Sequence, residues 1–141
     1  MKLLSGHQFL PKEAKYLSEQ FVGRLATSRN NKPHVVPVRY VFKTGKIYVD
    51  TAKNSKKVRN ILKNNNVAFV VDDYCDDKGI KRARGVFIEG EAEIHENDEV
   101  YKLAKRLIRE KYRPEKGFRR GFQENRVVIV IKPKRISSWG L

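Results

Sequence analysis

The sequence predicts a mainly β protein, a small antiparallel barrel with helices packed on its outside. Three observations carry that expectation. About six segments collect β-branched and aromatic residues over strand-like lengths, with turn residues between them. Only two or three helical stripes occur, and they do not alternate with the strands as a doubly wound parallel sheet requires. Residues 84–95 alternate throughout, with Val86, Ile88, Gly90, Ala92 and Ile94 on one side and Phe87, Glu89, Glu91, Glu93 and His95 on the other. That is the pattern of a half-buried antiparallel strand.

In order, residues 11–20 suit a short helix. Pro11 fits a first-turn position, and Ala14, Leu17 and Phe21 lie along one side. Residues 21–28 (FVGRLATS) follow as a strand. Asn30-Asn31-Lys32-Pro33 is turn chemistry, and 34–43 (HVVPVRYVFK) is a second strand. Its Pro37 cannot donate to a ladder, which places it at an edge or a bulge. Thr44-Gly45 turns the chain into a third strand at 46–50, so the three are expected to form a meander. A helix from about Ser55 puts Val58, Ile61 and Leu62 on one face, and Asn64-Asn65-Asn66 ends it. Residues 67–72 are a continuous apolar run, as in a buried strand, and an acidic loop containing Asp72, Asp73, Asp76 and Asp77 leads to Gly79.

After the alternating strand, Asn97 or Asp98 caps an amphipathic helix to about Lys111, with Val100, Leu103, Ala104, Leu107 and Ile108 in its stripe. Residues 112–125 form a basic loop, and 126–131 (RVVIVI) a last strand that Pro133 stops. No repeat, linker or composition break divides residues 1–141, which are expected to form a single domain.

Composition narrows the chemistry. The 141 residues are 40% apolar, which excludes a disordered chain. One cysteine, Cys75, excludes an internal disulfide framework. With no apolar N-terminal region and no run near membrane-spanning length, a reduced cytoplasmic location is expected, with no membrane partner. The net charge of +15 implies attraction to something anionic, whether a phosphorylated cofactor, nucleic acid or an acidic surface. No metal site is expected, since His7, His34 and His95 are far apart and the acidic run lacks calcium-loop spacing. Residues 102–120 hold nine Lys and Arg with Tyr101, Tyr112 and Phe118 interleaved, which suits a nucleic-acid-binding module as an alternative function. Most of those charges sit on the polar face of an amphipathic helix, so nucleic acid is not the expected partner.

The stretch from Lys46 to Leu62 holds the densest chemistry. Its corner gathers Thr51, Lys53, Asn54, Ser55, Lys56, Lys57, Arg59 and Asn60. A helix start offers free N–H groups and partial positive charge, so hydroxyl and cationic side chains there make an anion site. The same residues also suit a capped surface helix with a solvated basic face.

Three matches favour the anion site. Arg24-Leu25-Ala26-Thr27, His34-Val35-Val36-Pro37-Val38 and Ser55-x-Lys57-Val58-Arg59-Asn60-Ile61, in this order, resemble the pyridoxamine 5'-phosphate oxidase-like family of FMN-binding split barrels. The acidic run after Asp72 resembles a subgroup of deazaflavin-dependent enzymes. The resemblance implies a six-stranded antiparallel split β-barrel working as a homodimer, with each cofactor in a cleft at the interface. It implies that Ser55, Lys57 and Arg59 hold the cofactor phosphate, with Thr51 and Lys53 beside the ribityl phosphate and Lys56 solvated. It implies further that Val36, Pro37 and Val38 line the isoalloxazine, and that Trp139 approaches the ring from the second subunit. The implied function is a flavin-dependent oxidoreductase that binds FMN and passes hydride or electrons to a small-molecule substrate. The alternative cofactor is the deazaflavin coenzyme F-420, whose greater negative charge suits a chain of +15. The family's oxidases carry a longer C-terminal segment with substrate-binding Arg and His, so oxidation of vitamin B6 is not expected of a chain that stops at Leu141. No acid–base catalytic residue is assigned.

Overall fold

In the computed structural model, which describes residues 2–3 (backbone only), 9–113 and 125–141, eight strands form one antiparallel sheet with three helices against it. The elements are β1 (Lys2–Leu3), α1 (Pro11–Glu19), β2 (Val22–Arg29), β3 (Lys32–Arg39), β4 (Val41–Lys43) and β5 (Lys46–Ala52). They continue with α2 (Lys56–Lys63), β6 (Asn66–Asp77), β7 (Ile80–His95), α3 (Glu99–Lys111) and β8 (Arg126–Trp139). The strand order is β3-β2-β6-β7-β8-β5-β4, with β1 paired to β8.

The expected mainly β architecture is present, with more strands than the six anticipated. Strand β3 ends at Arg39 and β4 begins at Val41, yet they lie at opposite ends of the ladder. One residue, Tyr40, spans only a few ångströms. The sheet must therefore curl until its ends meet, and the ladder stays open there. This corrects the expected meander, because the segment 34–43 is two strands with different neighbours. Tyr40 explains the break. Its ring is fully buried, its hydroxyl donates to the Leu17 carbonyl (2.5 Å), and its ring meets Phe69 edge-on with centroids 5.3 Å apart.

The core lies inside the curl, built from Leu25, Ile47, Val49, Phe69, Val71, Val86, Ile88, Ile129, Ile131 and Ile136 with Leu17, Val58 and Ile61 from the helices. A smaller cluster of Tyr48, Val128, Val130 and Ala104 lies under α3. Residues Val127–Ile131 are thus covered on both faces, which is why that run shows no alternation. On the outer face, Glu89, Glu91 and Glu93 pair with Arg135, Lys134 and Lys132 across β7 and β8.

Three further expectations are corrected. The acidic stretch is not a loop, because β6 runs to Asp77 and β7 starts at Ile80, with Lys78 and Gly79 at positive φ in the turn. Pro133 does not stop the last strand. A register shift at Glu89/Gly90 sets Pro133 opposite Gly90, and β8 continues to Trp139. A Cβ on Gly90 would lie 2.3 Å from the Lys132 carbonyl oxygen, so the bulge needs glycine. Leu62 is not in the core but 68% exposed, because the inward arc of α2 runs through Val58, Asn60 and Ile61. Phe21 is likewise exposed. Asp98 caps α3 as expected, accepting from the Tyr101 amide at 2.8 Å.

Candidate functional site

The corner between β5 and α2 is built by a tight chain reversal. The Ser55 amide donates to the Ala52 carbonyl (3.2 Å), and the Ser55 carbonyl accepts the Arg59 amide (3.1 Å), starting the helix. Ser55 is the N-cap residue, but its hydroxyl makes no cap. Its Oγ is buried without a hydrogen-bond partner among the described residues. An orphaned buried hydroxyl beside free first-turn N–H groups is a donor set that could hold an anion.

Lys57, two residues on, is half-buried, and among the described residues no carboxylate pairs with it. Burial holds its amine below the usual lysine range, and the nearby Arg126 guanidinium lowers it further. Thr51 is buried on β5 opposite Val127. Lys53 points to Glu96, with Nζ 3.1 Å from its carboxylate, and Arg59 is exposed.

The structure thus brings Thr51, Lys53, Ser55, Lys57 and Arg59 to one corner, because β5 and α2 are contiguous. It also adds residues that sequence reasoning missed. Arg126 opens β8 directly opposite Ala52, and its Nε donates to Asp50 Oδ1 (3.2 Å). Lys105 of α3 donates to Asp50 Oδ2 (2.7 Å), and the Asp50 carboxylate is 4% exposed. Asp50 at the end of a β-branched strand was the one signal available, since a nearly buried carboxylate demands cations.

The other expected residues lie elsewhere. On β3, Val36 and Val38 are half-buried while Pro37 is exposed, on a strand that pairs among the described residues with β2 alone. The same face carries His34, whose Nδ1 is buried without a partner among the described residues and which pairs in register with Thr27. Trp139 lies at the far end of β8 and is 40% exposed against Gly85, where a Cβ would come within 2.5 Å of the indole. Thirteen residue steps along the strand separate it from Arg126, about 40 Å along the chain at ~3.3 Å per residue, so one chain's Trp139 is not part of its own corner. An open hollow of about 550 Å³ on the sheet's outer face, over Ala26, Thr27, Ser28, Asn66, Ala68 and Glu89, contains none of the residues expected to bind the cofactor.

Of the basic segment 102–120, residues 114–120 lie outside the described part, Phe118 among them. Within the described part, Lys102 pairs with Glu99, Lys105 with Asp50, and Lys111 donates to the Tyr40 carbonyl. Among the described residues no cluster of His, Cys, Asp and Glu is placed to hold a metal, and no helix is long and apolar enough to cross a membrane.

Known proteins share both sequence and fold. The family profile described as pyridoxamine 5'-phosphate oxidase matches residues 9–140. A 5a,11a-dehydrotetracycline/5a,11a-dehydrooxytetracycline reductase of Streptomyces rimosus is 36% identical over 140 residues, 94% of this chain and 84% of that protein. A conserved hypothetical protein of Mycobacterium tuberculosis superposes with a TM-score of 0.77 at 26% identity, covering 99% of this chain and 89% of its own. A structure named as an F-420 reductase superposes with a TM-score of 0.71 at 23% identity, over 92% of this chain and 98% of its own. With nearly the whole chain matched by the profile, the protein belongs to the pyridoxamine 5'-phosphate oxidase family.

Proposed function

We propose that this protein is an oxidoreductase that binds FMN at a homodimer interface and reduces or oxidises a small-molecule substrate. The observation that carries the reading is the β5–α2 corner. A buried hydroxyl and a half-buried lysine, neither with a partner among the described residues, stand at a helix N-terminus, a donor set that lacks only an anion. The phosphate of FMN fits that donor set.

In this reading Ser55 Oγ and the first-turn amides donate to the phosphate, and Lys57 adds a charge-assisted bond. Arg59 and Lys53 raise the local positive potential from the rim, and Thr51 closes the inner wall. Val36 and Val38 supply an apolar wall for the ring system, and Pro37 keeps the β3 edge free of a donor that would need a partner. Trp139 reaches the ring from the partner copy, consistent with its distance from the corner within one chain. When bound, the isoalloxazine supplies the redox chemistry, and the protein supplies position, electrostatics and exclusion of water.

A second reading keeps the corner and exchanges FMN for the deazaflavin coenzyme F-420. The +15 charge supports it, since that coenzyme is larger and more anionic. The reductase named for its Streptomyces relative supports the reducing direction in either case. Calorimetric titration of the purified protein with FMN and with F-420 separates the two. Absence of a yellow chromophore together with no heat from added FMN rejects the FMN form, and no binding of either cofactor rejects the function as proposed. Sedimentation equilibrium tests the dimer.

A further inference from the structure

The cationic corner has a member that neither the motif nor the helix start contains. Arg126 sits opposite Ala52 in the β5–β8 ladder, and the Lys53 amide donates to the carbonyl of the preceding residue, Asn125, at 2.7 Å. The start of β8 is therefore fastened to the turn that leads into α2. Only the Nε of Arg126 is engaged, on Asp50 Oδ1, and its Nη nitrogens make no hydrogen bond among the described residues. Lys57 lies close enough to feel its charge. Two cations whose charges interact, on a corner whose Ser55 hydroxyl has no partner among the described residues, form an arrangement that an anion would relieve.

Asp50 explains how the arrangement persists without one. Its carboxylate is 4% exposed and divides its oxygens between Arg126 and Lys105. It fixes the guanidinium by the edge that a ligand would not use, leaving the Nη pair for bidentate contact with oxygen atoms.

We propose that Arg126 is a third ligand for the anionic group held by Ser55 and Lys57, with Asp50 as its positioning residue. This rests on the phosphate-site reading given above and adds a specificity to it. Lys57 and Arg126 together match a doubly charged phosphate monoester, so Arg126 favours cofactors that carry a phosphate over the same ring systems without one.

The test compares FMN with riboflavin, and coenzyme F-420 with its phosphate-free deazariboflavin, by calorimetry on the full-length protein. Wild type is expected to prefer the phosphate-bearing form of one pair. In Arg126→Gln that preference falls on the order of 10- to 100-fold, as for a lost charged hydrogen bond, while affinity for the phosphate-free form is unchanged. For the FMN pair the wild-type preference rises as the pH passes about 6, where a phosphate monoester takes its second charge, and Arg126→Gln flattens that rise; for the F-420 pair, whose phosphate is a diester, the preference itself is the readout. Arg126→Lys keeps the charge without the fork and falls between the two. If Arg126→Gln does not fold, Arg126→Lys carries the test, and its full retention of the wild-type preference overturns the proposal. A folded Arg126→Gln that keeps the preference and its pH dependence likewise overturns it. If wild type shows no preference for phosphate in either pair, the phosphate-site reading itself fails and this assignment goes with it.

Discussion

Asn60 donates from Nδ2 to Thr27 Oγ1 at 3.0 Å, and both side chains are buried. This bond fixes the roll of α2 against β2, and so the direction in which the first turn of α2 faces. Thr27→Val would keep the shape of the strand and leave the Asn60 amide unpaired. Stability is expected to fall by about 1–3 kcal/mol, the cost of a buried unsatisfied polar group, with an unchanged m-value in urea denaturation.

Lys57→Ala is expected to weaken binding without weakening the fold. Affinity for the phosphate-bearing cofactor drops by about 1–3 kcal/mol, as for a charged hydrogen bond. The cofactor-free protein should not lose stability, because a half-buried amine with no carboxylate partner among the described residues, and within reach of the Arg126 charge, is removed. Calorimetry and thermal melting of the same preparation check both signs, and a large loss of melting temperature would show that Lys57 is structural.

Lys111 and the buried tyrosines predict a peaked pH–stability curve. Burial lowers the Lys111 amine from 10.5 to about 8, although it faces the rings of Phe21, Tyr40 and Tyr112. Arg39, over the far ring of Tyr112, is the other cation of the cluster. Between about 8 and 10.5 the unfolded chain binds the proton more tightly than the folded one, so stability rises with pH. The hydroxyls of Tyr16, Tyr40, Tyr48 and Tyr112 are raised above 10.0, chiefly by burial, so above that pH the unfolded chain loses protons first and stability falls. Denaturant midpoints measured from pH 7 to 11 should rise and then fall, and Lys111→Met should reduce the rising limb to the part that the lowered amine of Lys57 contributes.

Gly85→Ala should displace Trp139. The added methyl would lie 2.5 Å from the indole and 2.8 Å from the Val71 carbonyl oxygen. Trp139 is the chain's one tryptophan, so its emission reports the change directly. A shift of the emission maximum is expected in the variant, together with weaker quenching on cofactor addition if the indole meets the ring in the dimer. An emission spectrum and cofactor quenching identical to wild type would contradict this placement.

Much of this architecture was legible in the residues. Alternation in 84–95 reported β7 correctly because one face of that strand is dry and the other carries paired glutamates. The acidic hairpin was not legible because both faces are wet beyond Val71, so strand geometry leaves no apolar trace there. The break at Tyr40 was hidden because one residue changes strand partners without a turn signal. In the candidate site, Ser55 and Lys57 are visible locally because helix and strand adjoin in sequence. Arg126 is not, because only the β5–β8 pairing brings it to Ala52. Leu62 shows the converse error, where apolar spacing on a short helix was outweighed by a buried asparagine with a partner.

The single-residue passage through Tyr40 has a consequence for biosynthesis. Strand β5 lies between β4, its immediate neighbour in sequence, and β8, whose pairing joins Ile47 to Ile131. Until β8 leaves the ribosome, β5 has no ladder partner except a three-residue strand, and the curl cannot hold its shape. The corner that carries Ser55 and Lys57 is therefore assembled late, in one cooperative step dependent on distant pairing. Nascent chains lacking the last strand should be protease-sensitive throughout, and pulse proteolysis of stalled ribosome complexes should show protection of β5 arriving only with β8.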